Sequence, residues 1–99
     1  MKKLPLQPVP SQSLKVKLEG QNCELRIYYR FGSTYLDLIS NGTQVVTGAI
    51  CRDGAYIINI AQSAFEGNLF FMDMLGNSDP DYHGFGERWR LFYRPVDEL

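Results

Sequence analysis

The chain has 99 residues, 44% of them hydrophobic and 21% charged, and a formal net charge of −1. That length suits one domain with a modest core. The near-zero charge excludes a global field that would draw the chain to nucleic acid, an acidic membrane or a polyanion, leaving only local basic patches. No apolar run approaches the roughly 20 residues of a membrane helix.

The first residues, MKKLPLQPVP, begin like a signal peptide with Lys2 and Lys3. Pro5, Gln7, Pro8 and Pro10 then interrupt any apolar stretch, so the expectation is a cytoplasmic product. Residues 1–12 read as an extended arm, because these prolines fix their own φ and push the preceding residues to extended backbone. Leu4, Leu6 and Val9 make the arm apolar. It lies either on its own domain, the simpler reading, or on a neighbouring subunit.

Residues 13–19 alternate: Leu14, Val16 and Leu18 face one way, Lys15 and Lys17 the other. Cys23, Leu25, Ile27 and Tyr29 alternate with Glu24, Arg26, Tyr28 and Arg30 in the same manner. Both segments read as half-buried strands, joined by a turn at Gly20-Gln21-Asn22. Phe31-Gly32-Ser33 turns the chain into a hairpin of residues 34–40 and 43–51. Asn41-Gly42 forms its tip, since both central residues of a type I′ turn need φ > 0 and Asn-Gly tolerates that best. In this meander Cys23 and Cys51 lie at opposite ends, roughly 25 Å apart at about 3.3 Å per residue. A disulfide needs Cα atoms within about 7 Å, so both read as reduced thiols.

Arg52-Asp53-Gly54 is a turn. Residues 55–60 (AYIINI) read as a strand, and 61–66 as a single helical turn. Residues 68–74 form a strand in which Leu69 and Phe71 oppose Phe70 and Met72. Asp37 and Asp73 interrupt apolar strands and read as solvent-facing. Residues 76–86 (GNSDPDYHGFG) make a loop dense in turn-formers. In the last strand, 87–94, Trp89, Leu91 and Tyr93 face the core, while Arg88, Arg90, Phe92 and Arg94 point away. The fold expectation is all-β: a small antiparallel barrel or sandwich of six to eight short strands with no long helix. It comprises the arm, 1–12, and one domain, 13–99.

No site for chemistry assembles. His83 is the only histidine, and with Asp79 and Asp81 it shows neither zinc nor EF-hand spacing. A nucleophile would need a nearby base, and the cysteines sit on strand faces away from any helix N-terminus. The glycines match neither a P-loop nor a Rossmann fingerprint. The expectation is no enzyme, cofactor, metal or small-molecule substrate. Arg88, Arg90 and Arg94 with Phe92, and Arg26 and Arg30 around Tyr28, suit a solvated face first. A protein interface comes second and single-stranded nucleic acid third. For partner binding the candidates are Leu4, Leu6 and Val9 of the arm, Tyr82 and Phe85 of the loop, and Arg88 and Arg90.

Several stretches occur in a telling order: Pro10-Ser11-Gln12-Ser13-Leu14, Gly20-Gln21-Asn22-Cys23 and Tyr35-Leu36-Asp37-Leu38. After them come Gly48 and Cys51, then Phe65-Glu66-Gly67-Asn68-Leu69-Phe70-Phe71-Met72-Asp73, Gly76, Asp79-Pro80-Asp81-Tyr82 and Gly84-Phe85-Gly86-Glu87-Arg88-Trp89-Arg90-Leu91. With Tyr93, this sequence resembles the small baseplate plug family of contractile-tailed bacteriophages, over nearly the whole chain. Phe85 stands where many relatives carry Leu. The resemblance implies a virion structural protein, made in the bacterial cytoplasm and placed at the tail baseplate. It would contact hub or tail-tube proteins, with self-association open, and it brings no catalytic residues.

Overall fold

Seven strands alternate with turns in the computed structural model, which describes residues 1–59 and 65–99. They are β1 (Lys2–Leu4), β2 (Ser11–Leu18), β3 (Gln21–Arg30), β4 (Ser33–Ser40), β5 (Thr43–Cys51), β6 (Asn68–Asp73) and β7 (Trp89–Arg94). The only helical elements described are two short 3₁₀ turns, Tyr82–Gly84 and Val96–Glu98. Strands β2-β3-β4-β5 form an antiparallel meander. A second antiparallel sheet has the order β1-β7-β6. The two sheets pack face to face, so the expected all-β fold is a sandwich rather than a closed barrel.

Three dipeptides turn the meander: Glu19-Gly20 (φ 49° and 77°), Phe31-Gly32 (51° and 79°) and Asn41-Gly42 (51° and 79°). Each pair has φ > 0 at both positions, the type I′ pattern whose twist matches that of the flanking strands. The first two turns are one residue tighter than the sequence suggested, because Gln21 and Ser33 already pair with Leu18 and Arg30. Asn41 suits its left-handed conformation, and its side-chain carbonyl also accepts the Asn22 N–H. Phe31 does not suit it: a bulky side chain in that region costs about 1–2 kcal/mol.

Strand β5 is bulged. Its register against β4 shifts between Leu36 and Ile39, and Gly48 adopts φ 64° there. Asp37 fixes the distortion. Its carboxylate accepts the Gly48 N–H at 2.7 Å and the Tyr28 hydroxyl at 3.0 Å. Asp37 is therefore a bulge clamp, beyond the solvent-facing role expected of it. A bulge of this kind also blunts an edge strand against stray pairing.

The core lies between the sheets. Leu25, Ile27, Leu36 and Leu38 from the larger sheet meet Leu69, Phe71 and Leu91 from the smaller one. The arm enters this core. Lys2, Lys3 and Leu4 pair with Tyr93, Phe92 and Leu91, Leu4 is only 2% exposed, and Leu6 is buried beside it. Ser11 and Gln12 already belong to β2. Leu4 and Leu6 thus pack on their own sandwich, while residues 7–10 are exposed.

The strand expected at residues 55–60 does not form over its described part. Asp53–Ile58 instead runs along the β6 edge through single bridges, Asp53 to Phe71 and Tyr56 to Phe70. The Asn68 side chain replaces a ladder there: it accepts from the Ile58 N–H at 3.0 Å and donates to the Ile58 carbonyl at 2.8 Å. The helical turn expected at 61–66 falls mostly outside the described residues. Cys23 lies opposite Ser40 and Cys51 opposite Thr34, at the two ends of β4. Both are buried free thiols, as the meander requires. Burial pushes the Cys51 thiol up to about 12 and raises that of Cys23, where a Ser40 hydrogen bond opposes it.

Candidate functional site

Asp73 organises one end of the sandwich. It closes β6, and its side chain is fully enclosed. One carboxylate oxygen accepts the Leu75 N–H and the Arg88 Nε, both at 2.9 Å. The other accepts the Ser78 N–H and the Arg88 Nη2, again both at 2.9 Å. Such a bidentate pair fixes orientation as well as distance. It ties the entry of the loop 74–88 to its exit. The two Arg88 bonds hold the Asp73 carboxyl well below the usual carboxylate range. The Ser78 and Leu75 N–H groups reinforce them, while burial opposes them.

Trp89 is buried, as its alternation requires, and its indole N–H donates to the Ser78 carbonyl at 3.0 Å. Arg88 does not point away from it. It precedes β7, turns toward Asp73 and lies with its guanidinium 4.3 Å from the Trp89 ring centroid. The alternation failed at Arg88 because the strand begins only at Trp89, two residues later than expected. Gly84 passes flat against the same indole: a Cβ there would sit 2.7 Å from the ring.

The rest of the loop lies across the strand ends. The buried Thr34 hydroxyl donates to the Pro80 carbonyl at 2.8 Å. Asp79 accepts from Arg52 and from the Asp53 N–H, each at 3.1 Å. Tyr82 sets its ring edge against Tyr29, with centroids 5.2 Å apart. Asp81 holds His83 through Nδ1 at 2.6 Å and through its backbone N–H at 3.0 Å. That backbone bond leads in drawing the Asp81 carboxyl below its ordinary value. Phe85 turns inward and stacks on Phe71 at 5.5 Å.

This end also gathers exposed apolar side chains. Phe31, at the β3–β4 tip, is 99% exposed, and Leu75 is 79% exposed. Met74 and Val9 are exposed as well. Val9 adjoins Pro10, whose carbonyl accepts the Tyr29 N–H at 2.9 Å. Four carboxylates here accept hydrogen bonds from their own chain: Asp73, Asp79 and Asp81 as described, and Asp53 from the Asp73 N–H at 2.8 Å. Arg30 and Arg26 flank the Tyr28 ring at 5.3 and 5.6 Å, and Tyr28 stacks with Tyr35. Neither arginine makes an ion pair among the described residues.

The sequence candidates therefore separate. Val9 and Tyr82 come to this end. Leu4, Leu6 and Phe85 are core residues, because strand pairing and ring stacking turn them inward, so they cannot serve as exposed contacts of the folded chain. Arg88 is consumed by Asp73. Arg90 lies with Phe92 and Arg94 on the outer face of the smaller sheet. Its Nε is buried and without a partner among the described residues. Arg94 there covers Phe70 at 4.8 Å and donates to the Tyr56 hydroxyl. Phe31, Met74 and Leu75 were not among the candidates. The legible signal for Phe31 was an aromatic placed directly before a turn glycine.

The family described as cyanophage baseplate Pam3 plug gp18 matches residues 1–96 of this chain. The chain belongs to this baseplate plug family. No curated protein matches it. Membership makes this plug a structural protein of the virion tail baseplate, where its neighbours are other baseplate proteins. The resemblance drawn from its sequence was therefore correct. Among the plug's described residues no helix is long and apolar enough to cross a membrane. No group of three or more His, Cys, Asp or Glu among them could hold a metal ion.

Proposed function

We propose that this plug works by fixed protein–protein contact rather than by catalysis, and that the loop end described above is its contact surface. The observation that carries this reading is that Val9, Phe31, Met74 and Leu75, all exposed, sit on segments that meet at this one end. Exposed apolar side chains gathered in one place mark interaction sites more often than scattered ones do. Binding residues commonly sit on loops that a rigid scaffold positions, and the Asp73–Arg88 pair supplies that rigidity. Tyr82, half-buried at the margin of this end, contributes to the rim. The partners in this reading are the hub or tail-tube proteins of the baseplate.

Co-expression of the plug with the hub and tube proteins of its own tail tests the reading. A complex that survives purification is expected; recovery of the plug alone from every combination would sink it. A second reading rests on the Tyr28–Tyr35 stack between Arg26 and Arg30, which offers bases a stacking platform. It predicts salt-dependent binding of single-stranded oligonucleotides. The net charge of −1 weighs against it.

A further inference from the structure

We infer that a cleft between the N-terminal arm and the exit of the loop 74–88 seats a carboxylate side chain of a neighbouring baseplate protein, held by Arg90 and Lys3. The inference rests on the contact reading above and deepens it, since the cleft adjoins the loop end through Gly86. Its lining is Lys3, Leu4, Pro5, Leu6, Gly86 and Arg90. Strand pairing explains the grouping. Lys3 lies opposite Phe92 and Leu4 opposite Leu91, so Pro5 comes alongside Arg90, and Lys3 shares the outer face with Arg90 and Phe92. Arg90 stands apart from the other five arginines. Arg52 and Arg88 pair with Asp79 and Asp73. Arg26 and Arg30 lie over Tyr28, and Arg94 over Phe70. The Arg90 guanidinium has no ion pair, hydrogen bond or ring contact among the described residues, although it is half-buried and its Nε is shut off from water. A buried donor without an acceptor is costly to the isolated fold.

The chemistry of the occupant follows from the lining and its surroundings. Two cations line the cleft and no carboxylate does. Neither Lys3 nor Arg90 has an ion-pair partner among the described residues. Glu87 follows Gly86, is exposed and stays outside the lining. With its full charge counted, the mouth of the cleft is still positive. Arg88 and Asp73 cancel each other nearby, and Asp53 lies beyond β6. At the far end of β7, Lys2 and Arg94 balance Asp97 and Glu98. Leu4, Pro5 and Leu6 make the walls apolar, and a cleft of one sign with low-dielectric walls focuses its field. Its volume is about 190 Å³, below the roughly 300–1,000 Å³ of sites for drug-sized molecules. One side chain fits that space, and a carboxylate matches the guanidinium fork.

Purified hub and tail-tube proteins of the same tail, each titrated against the plug and its variants, test the inference. Arg90→Gln removes an unpaired charge and should melt at or above the wild-type temperature. It should weaken binding at least about 30-fold, as loss of one partner of a buried charge pair does. Arg90→Lys keeps the charge without the fork and should recover only part of that loss. Lys3→Gln, at an exposed position, should weaken binding by a smaller factor that shrinks as salt is added. One Asp or Glu of the partner, changed to Lys, should restore binding to Arg90→Glu. If Arg90→Gln binds like wild type, the seat is refuted while the contact reading stands. Should Arg90→Gln fail to fold, unchanged binding by Lys3→Gln refutes it instead. If wild type binds neither protein, the contact reading fails and this inference with it. A loss in Arg90→Gln that no Asp or Glu substitution in the partner reproduces would show that the cleft takes no carboxylate. Salt-dependent oligonucleotide binding lost in Arg90→Gln would put a phosphate there, and dimerisation of the plug alone lost in Arg90→Gln would put a second copy there; either overturns the proposal.

Discussion

Removing the N-terminal arm should unfold this protein, and the size of the effect can be worked from two leucines. Leu4 is 2% exposed and Leu6 is 8% exposed, both inside the common core. Replacing a buried Leu by Ala destabilises by about 2–5 kcal/mol. The three-residue strand around Leu4 can partly collapse into the space, which favours the lower part of that range. A 99-residue domain has a total stability of about 5–15 kcal/mol. Leu4→Ala alone should then lower the melting temperature by roughly 10–20 °C, at about 4–8 °C per kcal/mol for a domain of this size. Deleting residues 1–9 removes both leucines and the β1–β7 pairing together, a loss comparable to the whole stability of a typical domain. Far-ultraviolet circular dichroism during heating would show it. Val9→Ser, at an exposed position of the same arm, should leave the melt unchanged. A truncated chain that melts within a few degrees of the full one would show that the arm is an appendage and that its burial contributes little.

Three further outcomes follow from other contacts. The Asp73 carboxyl is held below its unfolded value of about 3.9, so the unfolded chain takes up more protons as pH falls. The contribution of the Asp73–Arg88 pair is then full above about pH 5 and declines progressively below about pH 4. Urea midpoints measured from pH 7 to pH 3 should fall less steeply in Asp73→Asn than in wild type. Gly84→Ala should destabilise by about 1–3 kcal/mol through overpacking against Trp89, read as a shift in the urea midpoint and in indole fluorescence. With Cys51 pushed up to about 12 and Cys23 raised as well, a thiol reagent at pH 8 should react with neither in the native protein and count two on denaturation.

The larger sheet was legible because its information is local. Alternation in residues 13–19 and 22–31 set the faces, and Asn41-Gly42 set a register. The core position of Trp89 followed from the same alternation. What alternation cannot supply is the partner of a distant segment. Nothing near Leu4 announces Leu91, and Asp73 gives no sign in the sequence that Arg88, rather than water, is its partner. The AYIINI run has the composition of a strand, yet Asn68 satisfies Ile58 through a side chain and a regular ladder does not form. Of the candidates read from the sequence, Val9 and Tyr82 lie at the loop end, whereas Phe31 was read only as a turn residue. Its exposure depends on the tightness of the turn, which the sequence placed one residue too wide.

The most direct measurement of the contact reading is a cryo-electron microscopy reconstruction of the assembled tail baseplate, at a resolution that shows aromatic side chains. The plug should be seated with its loop end, including Phe31 and Leu75, against a neighbouring protein. A reconstruction in which Phe31 and Leu75 face open solvent, with the neighbours docked on another face of the sandwich, would contradict it.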